Sequence, residues 1–288
     1  METLAHIFSP GFLLHHAVYG SLVVGLVCPL VGVYFVLRRL VFWGIALPQV
    51  SAAGIAFAFM LQGLGFGLLS GGESHERHLA IAAAVAFTLA AVLALAALER
   101  KGDGSSEGRV GVLYALAAAA AILFVSWNAA GETELMGLLR GEIVSISESD
   151  FHAMLYCFAG VAFCMLTFQR EFSLVSYDRD MAVVLGRRAL GWDLLLYLIV
   201  GLTVSLGVMT VGPLVIFGLL VIPPLAALPW ARGMLSFSLL SSLCGGTSAF
   251  AGFWLSYTRD LPLGPVIVCA ACAALAVSSA LRMLIKRT

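Results

Sequence analysis

The chain has 288 residues, of which 61% are hydrophobic and 11% are charged, and its formal net charge is zero. Water-soluble domains carry about 25% charged residues, so this composition excludes a soluble globular protein. A net charge of zero gives no sign of a nucleic-acid partner, and we expect none.

Long apolar runs recur along the whole chain, and each is long enough to cross the roughly 30 Å hydrocarbon layer of a membrane. Backbone groups find no water in that layer, so the runs are predicted to be helices. We expect an all-α polytopic bundle of eight or nine spans, with residues 1–288 forming a single transmembrane domain. The predicted spans are 12–37, 41–63, 79–98, 110–127, 150–168, 192–209, 212–229, 234–257 and 264–284.

The basic residues indicate an orientation in the membrane. With nine spans, thirteen of the sixteen basic residues fall on one side. Cytoplasmic loops are enriched in Lys and Arg, so we expect a cell (inner or plasma) membrane protein with its N-terminus outside and its C-terminus in the cytoplasm. The thirteen are Arg38, Arg39, Arg100, Lys101, Arg109, Arg170, Arg179, Arg187, Arg188, Arg232, Arg282, Lys286 and Arg287.

No catalytic or nucleotide-binding motif is present in the sequence. It contains no GxxxxGK[ST] phosphate-binding loop, so ATP is not expected to bind here by that route. Catalytic residues and cofactors are therefore not expected, and the chain is not predicted to be an enzyme. An ATP-independent channel or carrier would need ionisable groups inside its spans, and these are nearly absent. A structural membrane subunit without transport activity is a further alternative.

A polar segment of about residues 169–191 interrupts the spans and is predicted to be a cytoplasmic loop. Within it, Asp178 and Asp180 open a short helical stretch that continues through Leu185 and ends at Gly186. Acidic residues at the start and basic residues after the end suit the helix dipole. Such a helix could dock into a groove of a soluble subunit. Alternatively, it could lie on lipid headgroups.

Three stretches together resemble the ABC-3 family, the membrane permeases of zinc, manganese and iron ABC importers. The first is LVVGLVCPLVGVYFVLRRLVFWGIALPQVSAAGIAFAF, the second MGLLRGEIVSISESD, and the third FSLVSYDRDMAVVLGRRALGWDLLLYLIVGLTVSLGVMTVGPLVIFGLLVIPPLAA. The second is similar to a segment that leads into a span in the family. The third is similar to the family's coupling loop and the two helices after it. The resemblance covers about residues 12–285.

The resemblance implies a type II ABC importer-like permease that works as a homodimer in the lipid bilayer. A cytosolic ABC ATPase pair would bind the ATP, and an extracytoplasmic substrate-binding protein would deliver the substrate. In this family the loop matching Ser176–Gly186 docks into the ATPase. The residues implied as ATPase contacts are Ser176, Asp178, Arg179, Met181, Ala182, Leu185 and Gly186.

The sequence departs from the family at the metal-binding positions of the second span. The family pattern G-D-x-x-S-H places an Asp and a His there, whereas this chain has Ile45 and Gln49. Isoleucine cannot bind a metal, and a neutral amide is a weak ligand. Three explanations are open: a metal path with weaker ligands, a metal chelate or small organic solute bound by Gln49, Ser51 and Trp43, or a degenerate or regulatory partner of another permease. The path candidates are Gln49, Ser51 and His15.

Three further features have two interpretations each. Pro223 and Pro224, in the seventh predicted span, would either break a helix that lines a transport path or shape helix packing. Residues 73–78, with two histidines and two glutamates, are predicted to be an exterior loop that either captures metal or is simply solvated. His15, at the outer end of the first span, would either contribute to the outer mouth or anchor the helix at the interface.

Overall fold

The protein is described by a computed structural model that covers residues 15–63, 73–100, 106–127, 148–186 and 189–287. Helices and short turns account for all of these ranges, and no strand is found in them. The predicted all-α fold is therefore confirmed. Residues 136–147 of the second family-like stretch lie outside the described ranges, as do Lys101, Arg187 and Arg188.

Eleven α-helices and one 3₁₀ turn, at Leu228–Trp230, form the described structure. The α-helices are α1 His15–Leu37, α2 Trp43–Gly63, α3 Glu73–Arg100, α4 Ser106–Ser126, α5 Glu148–Thr167, α6 Gln169–Tyr177, α7 Arg179–Val184, α8 Ala189–Val211, α9 Pro213–Ala227, α10 Met234–Arg259 and α11 Leu263–Arg287.

Eight of the described helices are long and apolar enough to cross a membrane, and the count is nine if a bent pair is taken as one span. The pair is α5 and α6, whose axes differ by 66°. The prediction of eight or nine spans is therefore confirmed. The short turn between α8 and α9 forms as expected, because Gly212 has a φ of 83° and Pro213 begins α9. Only glycine adopts this backbone conformation easily.

One sequence prediction about a loop is wrong. Residues 73–78 form the first turns of α3 rather than an exterior loop. The segment 169–191 contains, besides the predicted short helix, a second helix, α6, which buries an apolar face that includes Phe172 and Val175. Three-residue spacing puts these side chains on one side of a helix.

Helix α1 lies at the centre of the bundle and packs closely against α9 and α10. A Cβ atom at Gly25 would lie 2.9 Å from the backbone oxygen of Gly245 in α10. A Cβ atom at Gly32 would overlap the backbone oxygen of Leu220 in α9. Small residues allow such close approach between helices in membranes.

The prolines of α9 shape helix packing. The helix continues through Pro223 and Pro224, and both are buried. Pro224 has no backbone N–H, so it cannot bond to the carbonyl of Leu220 four residues earlier. That carbonyl instead faces Gly32 of α1. The observed geometry thus favours the packing interpretation of these prolines.

Candidate coupling site and membrane path

Helix α7 is short and has a defined cap at each end. Asp178 precedes it, and the Asp178 Oδ1 atom accepts a hydrogen bond from the backbone N–H of Met181 at 2.9 Å. Gly186 follows it with a φ of 72°, a left-handed conformation typical of residues that end helices. The predicted helical stretch between Asp178 and Gly186 is therefore confirmed.

The two sides of α7 differ sharply in burial. Ala182 is fully buried and packs in an apolar cluster with Val175 of α6 and Ala189 of α8. The opposite side carries apolar side chains that are at least half exposed, and Val184 is 81% exposed. We call this surface, together with the exposed Tyr177 at the end of α6, the docking face; its other members are Met181, Val183, Val184 and Leu185.

The structure separates the residues implied as ATPase contacts into two groups. Met181 and Leu185 belong to the docking face, and Asp178 and Gly186 lie exposed at the two ends of α7. Ala182 lies beneath the face, and its burial fixes the position of the helix. Ser176 accepts a hydrogen bond from Arg38, just after α1. The side chain of Arg179 lies outside the described residues.

A buried ion pair lies directly beside α6. Arg38, just after α1, places its Nη2 atom 2.9 Å from Oδ1 of Asp193 in α8. The two side chains are only 12% and 7% exposed. Arg38 also donates through Nε to the Ser176 hydroxyl at 2.9 Å and through Nη1 to the Tyr197 hydroxyl at 3.4 Å. One guanidinium therefore joins α1 to both α6 and α8.

The same group of residues extends to the start of α2. The rings of Trp43 and Tyr197 are stacked, with centroids 5.6 Å apart and planes inclined by 23°. The guanidinium carbon of Arg38 lies 5.6 Å from the centre of the Tyr197 ring. We call Arg38, Trp43, Ser176, Asp193 and Tyr197 the coupling cluster. From the sequence, Arg38 indicates only the membrane orientation, and its pairing with Asp193 is not predicted.

A second polar contact fixes α6 to the bundle. The Gln169 amide donates a hydrogen bond to the Ser238 hydroxyl of α10 at 2.9 Å, and both residues are buried. Buried polar groups need such partners, because a lost partner costs about 1–3 kcal/mol. Helix α6 is therefore held by polar contacts at both ends, through Gln169 and Ser176.

The candidates on α2 face different directions. Ile45 and Gln49 are four residues apart, so they lie on the same side of the helix, and both are partly buried. Ser51 lies nearly opposite Gln49 on a helix with 3.6 residues per turn. It is fully buried, and its hydroxyl has no hydrogen-bond partner within the described structure. Gln49 and Ser51 therefore cannot contact one small substrate together.

Metal-ligating side chains do not cluster in the described part of the chain. No group of three His, Cys, Asp or Glu residues there could hold a metal ion. His15 begins α1, but its side chain lies outside the described residues. The next residue, His16, packs against Phe151 of α5, with ring centroids 4.9 Å apart.

The comparisons with known proteins agree with this architecture. The sequence model of the ABC 3 transport family matches residues 12–282. The chain belongs to this family. It is 28% identical to the zinc transport system membrane protein TroC of Treponema pallidum over 273 residues, covering 93% of this chain and 88% of TroC. It is 25% identical to the manganese transport system membrane protein MntC of Listeria innocua, covering 90% and 86%.

The fold of this ABC 3 family member matches a solved structure. It superposes on a chain of PsaBC from Streptococcus pneumoniae, solved in complex with Fab, with a TM-score of 0.79. The match covers 93% of this chain and 91% of that chain, at 22% sequence identity. The permease fold expected from the sequence resemblance is thus confirmed, and the protein is a membrane-spanning member of a transport family.

Proposed function

We propose that the chain is the permease subunit of an ABC importer driven by ATP hydrolysis on a separate cytosolic subunit. The observation that carries this proposal is the docking face, an exposed apolar surface on a short helix that is capped and anchored from beneath. A helix with one apolar side fits a groove in a partner protein. A second copy of the permease and an extracytoplasmic binding protein complete the proposed complex.

The proposed orientation places the docking face in the cytoplasm. Arg38 at the end of α1 contacts Ser176 of α6, so the basic end of α1 and the docking face lie at the same end of the bundle. Arg170 in α6 and Arg232 in the connection before α10 also lie at that end. Positive residues favour the cytoplasmic side, which supports an outside N-terminus and a cytoplasmic C-terminus.

The proposed cargo is a divalent metal ion, zinc or manganese, with iron as a further member of the same class. The names of TroC and MntC support this assignment, because they specify zinc and manganese transport. Since Ile45 cannot bind a metal, the ion would pass α2 with weaker ligands than a carboxylate and an imidazole. In this proposal the binding protein sets most of the affinity for the ion.

A metal chelate or small organic solute is the second candidate cargo. The side of α2 that carries Ile45 and Gln49 favours it, because an apolar side chain and a neutral amide suit contact and hydrogen bonding better than metal ligation. In a chelate the metal already has its ligands, so the protein needs to recognise only the outer surface of the chelate.

Transport in vesicles tests these proposals. The permease and its ATPase would be reconstituted in lipid vesicles with the binding protein, and uptake of radioactive zinc and manganese would be measured with and without ATP. ATP-dependent uptake of either metal supports the metal importer. ATP hydrolysis without movement of either metal would exclude zinc and manganese as cargo and favour iron, chelates or organic solutes. Uptake that is independent of ATP would instead identify a channel or secondary carrier.

A further inference from the structure

Arg38 is positioned to connect three parts of the bundle. It follows the last residue of α1, and its backbone N–H donates to the Tyr34 carbonyl at 3.0 Å. Arg39 then leaves the helical conformation with a φ of 58°. The planar guanidinium has five donors in a fixed arrangement. Three of these donors form hydrogen bonds, to Ser176, Asp193 and Tyr197.

Stability alone does not explain this ion pair. Removing two charges from water costs several kcal/mol for each ion, and replacing a buried pair by apolar residues is often neutral or stabilising. Breaking such a pair by removing one partner is strongly destabilising, because a buried charge remains. The Arg38–Asp193 pair therefore fixes one arrangement of α1, α6 and α8 more than it adds net stability.

The coupling cluster reaches α2 through a very short connection. Arg38 and Trp43 flank the turn between α1 and α2, and both contact the ring of Tyr197. The Trp43 ring is 1% exposed, yet its Nε1 atom has no hydrogen-bond partner among the described residues. Thus one ring of α8 holds both sides of the turn, and α2 begins at Trp43.

We propose that Arg38 is a positioning residue that transmits movement of the docking face to α2. In this inference, which rests on the proposed function, the ATPase moves α7 and the adjoining α6. The Ser176–Arg38 hydrogen bond carries that movement to the turn between α1 and α2. The Trp43–Tyr197 stack then guides the start of α2, the helix that carries Gln49. Asp193 holds the charged Arg38 guanidinium in place during the movement.

Two variants test the proposal. Ser176→Ala removes one hydrogen bond, and Arg38→Lys keeps the positive charge but loses the planar, forked geometry of the guanidinium. Arg39→Gln is the matched control, since Arg39 is the neighbouring cation but is exposed. Binding to the ATPase, ATP hydrolysis and uptake would be measured for each variant in the complete complex.

The informative quantity is the amount of substrate imported per ATP hydrolysed. We expect Ser176→Ala and Arg38→Lys to bind the ATPase and hydrolyse ATP, while this ratio falls roughly two- to thirtyfold. Arg39→Gln should keep the wild-type ratio. A merely structural role would lower the amount of folded complex and leave the ratio unchanged.

Two results would overturn the proposal. One is a wild-type ratio in both Ser176→Ala and Arg38→Lys. The other is loss of ATPase binding in Ser176→Ala, which would assign the cluster to docking rather than to transmission. Failure of the proposed function has a different signature, because the wild-type permease would then show no ATPase binding and no ATP-dependent uptake.

Discussion

The Asp178 carboxylate caps helix α7 by accepting a hydrogen bond from the Met181 backbone N–H at 2.9 Å. This places the docking face on a helix whose first turn is fixed from within the chain. Replacing such a capping residue by alanine costs about 0.5–2 kcal/mol. We expect Asp178→Ala to weaken ATPase binding roughly two- to thirtyfold, as measured by titration of the reconstituted permease.

Asp178→Asn is the control for this prediction, because asparagine caps helices about as well as aspartate. It should bind the ATPase nearly as tightly as the wild type. Equal losses in both variants would show that the charge, rather than the cap, is what the ATPase recognises.

Val184 is the most exposed member of the docking face, at 81%. Burying a valine side chain contributes about 1.5–3 kcal/mol. We therefore expect Val184→Ser to weaken ATPase binding roughly ten- to hundredfold without lowering the melting temperature of the isolated permease. Val184→Leu should retain binding. Wild-type affinity in Val184→Ser would instead place this surface against lipid headgroups.

Gly32 has no room for a side chain, because a Cβ atom would overlap the Leu220 carbonyl oxygen. Overpacking costs about 1–3 kcal/mol, so Gly32→Ala should lower the melting temperature of the permease by roughly 3–10 °C. Gly160 on α5 is the matched control, since apart from the backbone of its own helix no described atom lies within 4 Å of its Cβ position. Gly160→Ala should leave the melting temperature unchanged or raise it slightly.

Gln49 and Ser51 should respond differently to alanine substitution. Gln49 shares the partly buried side of α2 with Ile45, so Gln49→Ala should reduce ATP-dependent uptake. Ser51 is buried with an unpaired hydroxyl among the described residues, and removing such a group relieves a cost of about 1–3 kcal/mol. Ser51→Ala should therefore keep full uptake and an equal or higher melting temperature. Loss of uptake in Ser51→Ala alone would move the path to the opposite side of α2.

The sequence predicted those features that depend on neighbouring residues. The spans follow from hydropathy, and the ends of α7 follow from Asp178 and Gly186, because capping is local. The helical nature of α6 was missed, since its buried Phe172 and Val175 follow the polar run of Gln169, Arg170 and Glu171, which suggested a loop.

The coupling cluster could not be predicted from the sequence. Arg38 and Asp193 are 155 residues apart, and nothing in the spacing of either residue indicates the other. A weak signal was present, since Asp193 is an acidic residue near the start of an apolar span. Acidic residues in such positions often have a partner on another helix, but the sequence does not specify which one.

The bend between α5 and α6 has a mechanical consequence. Their axes differ by 66°, and the single residue between them is Phe168, whose ring packs against Trp192 with centroids 5.3 Å apart. A long, flexible loop at this point would let α6 move without displacing α5. A joint of one packed residue has little slack, so α6 cannot be displaced far without its neighbours.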